Sequence, residues 1–152
     1  MSVERGSIAK EALHERFARA QGLHREGRLQ DAEPLYGAVL VADPRHFGAL
    51  LYLGVLRLQQ GRPEEATALI RRALAQEPQS AEAHADLAAA LQALGRHDEA
   101  IASYEAALAF APALAEASSG LGTALCALGR HDEAIRHYGA ALALKPGFAE
   151  AS

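Results

Sequence analysis

Residues 94–101 read LGRHDEAI, and residues 128–135 read LGRHDEAI again. The two copies lie 34 residues apart, and the similarity extends beyond them, because residues 81–114 and 115–148 agree without gaps at 21 of 34 positions. The same register continues towards the amino terminus over 47–80 and 13–46. A sequence repeated at one fixed period of this length predicts an array of stacked structural units.

The positions that recur in every unit have structural roles. Glycine ends a helix because it adopts a left-handed conformation without a Cβ clash. Alanine lets two helices approach closely, and proline cannot continue a helix. Each unit carries one of each in this order: Gly27, Ala32 and Pro44; Gly61, Ala66 and Pro78; Gly95, Ala100 and Pro112; Gly129, Ala134 and Pro146.

The third unit illustrates the helical patterns. Leu87, Leu91 and Leu94 have the spacing of one helix face before Gly95. Acidic residues follow the glycine, where the dipole of a second helix favours them. The chain is half hydrophobic, and that half is mostly alanine and leucine, which are strong helix formers. We therefore predict an all-α fold with two helices in each unit.

This pattern resembles the tetratricopeptide repeat (TPR) family. The signature positions of that family are occupied twice, by Leu87, Ala88, Leu91, Gly95, Ala100, Tyr104, Ala107 and Pro112, and by Leu121, Gly122, Leu125, Gly129, Ala134, Tyr138, Ala141 and Pro146. The resemblance covers residues 13–148. It implies a right-handed α-solenoid, or superhelix, of stacked antiparallel helix pairs.

The expected organisation is a series of repeats. Residues 1–12 are expected to begin the first helix, and they are followed by a degenerate TPR 1 (13–46), TPR 2 (47–80), TPR 3 (81–114), TPR 4 (115–148) and the start of a truncated fifth repeat (149–152). TPR 1 departs from the pattern at Arg19 and Pro34, and TPR 2 departs at Arg57 and Ile70. No polar capping helix follows TPR 4, so we expect either a fragment of a longer protein or an open end that another molecule covers.

Charge and composition argue against several classes of protein. The net charge of -4, with acids and bases interspersed, does not provide the basic face that nucleic acids require. No apolar run reaches the length of a membrane span, and the charged start MSVERGSIAK is unlike a signal peptide. The single cysteine, Cys126, excludes an internal disulfide. A cytoplasmic location is the default expectation.

The repeated octapeptide also has the residue types of a proton shuttle or a metal site. Consecutive helical residues point about 100° apart, so His97, Asp98 and Glu99 diverge rather than converge on one proton or metal. Cys126 lies near a helix C-terminus, where the dipole disfavours a thiolate. The chain contains neither a glycine-rich phosphate loop after a strand nor a GxSxG element. We therefore predict no enzyme activity, no catalytic residues, no metal and no cofactor.

The resemblance to TPR proteins implies a ligand surface, because the first helix of each unit lines the concave groove of such arrays. The family's groove positions correspond here to His14, Phe17, Gln21 and His24; to Leu51, Tyr52, Val55, Leu58 and Gln59; to Glu82, Ala85, Asp86, Ala89, Gln92 and Ala93; and to Glu116, Ser119, Gly120, Thr123 and Cys126. Chaperone-binding members use lysines and asparagines, and some glycosyltransferase members use asparagine ladders. This chain has no asparagine and only two lysines, Lys10 and Lys145.

The groove residues suggest the chemistry of a partner. Leu51, Val55 and Leu58 are apolar, and the third unit contributes Glu82 and Asp86, which together favour an apolar or amphipathic helix that carries basic residues. The alternative is that Leu51 and Leu58 only pack against neighbouring units. The leading hypothesis is a non-enzymatic protein-interaction scaffold. The alternatives are the N-terminal recruiting region of a larger enzyme, such as a bacterial TPR-bearing glycosyltransferase, and a module that self-associates through the exposed face of residues 131–144.

Overall fold

The computed structural model describes the backbone of residues 2–144 and the side chains of residues 9–144. Within residues 2–144 the chain forms helices and no strand, which confirms the all-α prediction. The helices are α1 (Ser2–Arg25), α2 (Leu29–Ala42), α3 (Phe47–Gln59), α4 (Pro63–Gln76), α5 (Ala81–Ala93), α6 (His97–Phe110), α7 (Ala115–Ala127) and α8 (His131–Leu144). Pro146 and the expected fifth repeat at 149–152 lie outside the described residues.

The chain divides into two compact units, residues 1–76 and residues 77–152. In the first unit α1 packs against α2, α3 packs against α4, and α2 also contacts α3. In the second unit α5 packs against α6, α7 packs against α8, and α6 contacts α7. The helix α1 begins at Ser2, within the segment 1–12 that precedes TPR 1.

The repeated octapeptide forms the same helix stop and helix start in both of its copies. Gly95 and Gly129 have φ angles of +76° and +77°, a left-handed conformation that favours glycine. The amide after each glycine donates to a carbonyl five residues earlier, from Arg96 to Leu91 and from Arg130 to Leu125, each at 2.9 Å. This is the hydrogen bond of a Schellman C-cap. The next helix then begins at the histidine of each copy.

Helix starts use different caps. The Nδ1 atom of His46 accepts the amide of Ala49 at 3.0 Å, and the Oγ of Ser80 accepts the amide of Ala83 at 3.1 Å. Side-chain acceptors of this kind satisfy amides that a first helical turn leaves without intrahelical partners. Arg96, at the start of α6, makes no such bond. Acidic residues in the first turn of α6 interact favourably with the helix dipole there.

Small residues lie where paired helices approach each other. The four recurring alanines, at 32, 66, 100 and 134, are fully buried. At Gly122 on α7, an added Cβ would lie 3.1 Å from the Tyr138 ring on α8. At Gly54 on α3, an added Cβ would lie 2.7 Å from Ile70 on α4. A Cβ at Gly54 would force Ile70 to shift, and a Cβ at Gly122 would require the Tyr138 ring to move by a few tenths of an ångström.

The departures from the repeat pattern are accommodated locally. Pro34 lies inside α2, which continues through it to Ala42. Arg19 is exposed, although the pattern has a core leucine at that position. Arg57 replaces another core leucine and forms ion pairs with Glu33 at 2.5 Å and with Glu65 at 3.1 Å. A charged residue is therefore tolerated at that position because carboxylates from α2 and α4 pair with it.

Candidate partner-binding surfaces

The first unit contains a cavity of about 430 Å³ between α1, α2 and α3. Five groove residues named from the sequence line it, and two further residues, Arg25 and Tyr36, complete the lining: Gln21, His24, Arg25, Tyr36, Tyr52, Val55 and Gln59. We call this cavity the first-unit pocket. Arg25 occupies the repeat position of Ala93, which is one of the predicted groove positions, so its place at the pocket could have been predicted from the sequence. Tyr36 matches a core position of the second helix, so its place at the pocket could not have been predicted in this way.

His24 is the centre of a hydrogen-bonded chain in the first-unit pocket. Its Nε2 lies 2.6 Å from the Oε1 of Gln59, and its Nδ1 lies 2.9 Å from the hydroxyl of Tyr36. The amide oxygen only accepts, so Nε2 carries the proton and donates to it. In the neutral ring, Nδ1 then accepts from the Tyr36 hydroxyl. Burial raises the pKa of Tyr36 to about 12, which keeps this hydroxyl protonated as a donor.

Aromatic side chains border the same pocket. The centroid of the Phe17 ring lies 6.2 Å from the ring centroid of Tyr36, 6.1 Å from that of Tyr52 and 4.7 Å from that of His46. In all three pairs the rings are tilted relative to each other. Of the seven residues that line the pocket, Arg25 is the only arginine, and none is a lysine, an aspartate or a glutamate. Apolar walls with a few convergent polar groups are typical of a ligand site.

The other groove residues of the first unit differ in accessibility. Leu51 is fully buried, which favours the packing alternative at that position. Leu58 and Phe17 are half-buried, and His14 is exposed. The Phe17 ring also lies against Gly48, where an added Cβ would overlap it. Phe17 and Leu51 therefore support the walls of the first unit, and Val55 is the aliphatic residue that lines the pocket itself.

In the second unit, Asp86 is a groove residue whose carboxyl pKa lies well above its ordinary value. Burial, followed by the negative charge of Glu82, raises the pKa of its carboxyl from 3.8 to about 7. The hydroxyl of Tyr104 donates to the Oε1 of Gln92 at 3.1 Å. Burial and the charge of Asp86 raise the pKa of Tyr104 to about 12. Of the other residues on this helix, Ala85, Ala89 and Gln92 are half-buried, whereas Glu82 and Ala93 are exposed.

The groove residues of α7 contact the second helices on either side of it in the chain. An added Cβ at Gly120 would overlap the Tyr104 ring of α6, so this glycine has a packing role. The hydroxyl of Thr123 lies 2.8 Å from that of Tyr138 on α8 and donates to the carbonyl of Ser119 at 3.1 Å. Glu116 and Thr123 are exposed, whereas Ser119 and Cys126 are half-buried.

The histidine and acids of the octapeptide do not assemble into a site. Asp98 and Glu99 are exposed, and His97 is half-buried. In the second copy, Glu133 binds Arg130 at 2.6 Å, and this contact lowers the pKa of the Glu133 carboxyl. Across the described side chains, no three or more His, Cys, Asp or Glu residues are grouped so as to hold a metal ion. In the same part of the chain, no helix has the length and apolar character that crossing a membrane requires.

A sequence profile identifies the family. The tetratricopeptide repeat profile matches residues 23–91, 57–113 and 91–152. The chain belongs to the tetratricopeptide repeat family. This TPR chain has no match among curated proteins.

MamA and an O-GlcNAc transferase are among the solved structures that resemble this TPR chain. A crystal structure of MamA is 30% identical, with a TM-score of 0.77, and the match covers 87% of this chain and 77% of MamA. MamA from Desulfovibrio magneticus RS-1 is 21% identical, with a TM-score of 0.80 over 89% of this chain and 76% of that one, and it shows the fold alone. An O-GlcNAc transferase mutant from Thermobaculum terrenum is 32% identical, with a TM-score of 0.75, and the match covers 76% of this chain but only 22% of the transferase.

Proposed function

We propose that this TPR chain is a non-enzymatic scaffold that binds a peptide or helix of a partner protein along its first helices. The observation that carries the proposal is the first-unit pocket, where five groove residues named from the sequence line one cavity. The cavity combines aromatic and aliphatic walls with amide and hydroxyl groups. Such a combination suits a side chain that presents both an apolar body and a hydrogen-bonding end.

The second unit supports the same proposal through Asp86. Its carboxyl has a pKa of about 7, because the protein buries it beside Glu82 without fully stabilising its charge. A lysine or arginine of the partner would compensate that charge. The partner chemistry that we propose is therefore an amphipathic segment with at least one basic residue that reaches Asp86.

Affinity capture with matched variants tests the scaffold proposal. Val55→Arg fills the first-unit pocket from a half-buried position, whereas Val41→Arg changes an equally aliphatic residue that is 86% exposed and lies outside the pocket. We expect a protein that the wild type and the Val41 variant retain from native lysate and that the Val55 variant loses. The same order of affinities is expected when that protein is purified and titrated. Equal capture by all three chains, with helicity intact by circular dichroism, contradicts the proposal.

The likeness to the O-GlcNAc transferase favours a second candidate. At 32% identity the chain matches 22% of that enzyme. The chain would then be the part of a larger enzyme that recruits a protein substrate or a partner. The native reading frame tests this alternative, because a catalytic region continuous with Ser152 supports it and a stop codon directly after Ser152 contradicts it.

A further inference from the structure

His24 is a titratable residue at the centre of the first-unit pocket, and its neutral ring uses both of its nitrogens there. The Nε2–H group donates to the Oε1 of Gln59 on α3 at 2.6 Å, and Nδ1 accepts from the hydroxyl of Tyr36 on α2 at 2.9 Å. A histidine ring that carries both protons has two donors and no acceptor. The hydroxyl of Tyr36 therefore cannot donate to a protonated His24, and this hydrogen bond has to reverse or break.

The hydroxyl of Tyr36 is poorly placed for a reversal of this bond. Tyr36 is fully buried, so its hydroxyl proton would need another acceptor inside the protein if Nδ1 of His24 became a donor. Burial raises the pKa of Tyr36 to about 12, so the hydroxyl keeps its proton near neutral pH. A buried hydroxyl without an acceptor costs free energy. Protonation of His24 is therefore expected to open the hydrogen bond between α1 and α2.

The charged and titratable groups that face His24 offer no compensation for a positive ring. Among the described residues that line the pocket, these groups are Arg25 on α1, Tyr36 on α2 and Tyr52 on α3, and none is a carboxylate. An occupant of the pocket also displaces water from the histidine ring. Loss of water costs far more free energy for a charged ring than for a neutral one whose nitrogens are both hydrogen-bonded. An uncharged occupant therefore binds better while His24 is neutral.

The third repeat contains the same hydrogen bond without a titratable partner. In the repeat register, His24 and Tyr36 correspond to Gln92 and Tyr104. The hydroxyl of Tyr104 donates to the Oε1 of Gln92 at 3.1 Å, as the hydroxyl of Tyr36 donates to His24. A side-chain amide does not take up a proton near neutral pH, so it accepts this bond in acid and in base alike. The first repeat thus differs from the third in a hydrogen bond that a proton can open.

We propose that His24 is a proton-sensitive switch of the first-unit pocket, which binds its occupant while the ring is neutral and releases it when the ring is protonated. The proposal rests on the proposed function in one respect, namely that a partner segment binds in this pocket. The occupant that suits the switch is a side chain with an apolar body and an uncharged hydrogen-bonding end. Acidification would then release the partner.

Cyclohexanol is a suitable probe of the switch, because it has an apolar body and a hydroxyl and stays uncharged throughout. Its titration into the 152-residue chain is followed by nuclear magnetic resonance of the methyl groups of Val55, which lines the pocket. From about pH 8 to about pH 5, we expect the affinity of the wild type to fall on the order of tenfold. His24→Gln copies Gln92 of the third repeat, so its affinity should be nearly equal at both pH values.

Two features of the design separate His24 from other titrating groups. His24→Gln leaves Asp86 and the remaining histidines in place, so a pH effect that arises elsewhere in the chain persists in this variant. The nitrogen resonances of the His24 ring give a second measurement on the wild type alone. We expect a proton on Nε2 only at about pH 8, and protons on both nitrogens at about pH 5.

The proposal is overturned by equal cyclohexanol affinities of the wild type at the two pH values, or by an equal fall in His24→Gln. It is also overturned by a proton on Nδ1 of the neutral ring, or by a pocket that binds no cyclohexanol at either pH. The scaffold proposal fails on a different observation, which is that the wild type captures no protein through the pocket at about pH 8, where His24 is expected to be neutral.

Discussion

At the scale of single residues, the role of a side chain in this protein depends on its position in the repeat more than on its type. The histidine and acids of LGRHDEAI resemble catalytic groups, yet they begin a helix and point apart. Gly95 and Gly129 provide the left-handed backbone conformation that connects the two helices of each repeat. The backbone conformation at these two positions therefore favours glycine, whereas the helix start favours no single residue type at the titratable positions beside them.

The helix-stop glycine can be tested against a glycine without that role. Gly95→Ala forces a residue with a Cβ into a φ of +76°, so we expect a loss of about 1 kcal/mol in the free energy of unfolding. Gly37→Ala lies inside α2 with open space around the new Cβ, and we expect a gain of up to about 1 kcal/mol. Urea denaturation measures both values. An equal effect of the two changes contradicts the role of Gly95.

Asp86 gives a pH-dependent prediction. Its pKa rises from 3.8 to about 7 in the folded chain, so the folded state binds its proton more tightly than the unfolded state does. The resulting stabilisation is fully present below about pH 3.8 and is lost as the pH rises through about 7. We expect the carboxyl carbon of Asp86 to titrate near pH 7 by nuclear magnetic resonance, and at a lower pH in Glu82→Gln. A midpoint near 4 in the wild type would contradict the burial of this carboxyl.

At the scale of elements, a repeated sequence produces a repeated local structure but not a repeated environment. The helices and turns were predictable because each stop, start and buried stripe has a local signal. The sequence also predicted an exposed face over residues 131–144, and Ile135 on that face is 66% exposed, whereas Ile101 in the identical octapeptide is 7% exposed. The burial of Leu51 and the place of Tyr36 beside the first-unit pocket likewise depend on which helices pack against them. Those contacts are tertiary, and spacing alone does not specify them.

The ion pairs of Arg57 connect three helices of the first unit. Its contact with Glu33 lowers the pKa of that carboxyl, mainly through the hydrogen bond. The contribution of Glu33 to stability is therefore present above about pH 4.5 and lost as the pH falls through its folded pKa. A double-mutant cycle of Arg57→Met and Glu33→Gln should give a coupling energy of about 0.5–1 kcal/mol at pH 7. This coupling energy should disappear at acidic pH, where the Glu33 carboxylate is protonated. A coupling energy that persists at acidic pH would contradict an ion pair between Arg57 and Glu33.

At the scale of the whole molecule, the family and the candidate surfaces support the proposed scaffold function. Membership of the TPR family follows from the profile that spans residues 23–152. Each unit contributes its own chemistry, with an aromatic and amide-lined pocket in the first and the buried carboxyl of Asp86 in the second.

Site-specific photo-cross-linking in the native cell tests the scaffold function most directly. A photoreactive phenylalanine replaces either Val55, which lines the first-unit pocket, or Val41, which is exposed and lies outside it. If the pocket receives a segment of a partner protein, irradiation should give a discrete covalent adduct from position 55 and none from position 41. An adduct from position 41 alone, or from neither position, would contradict partner binding through the first-unit pocket.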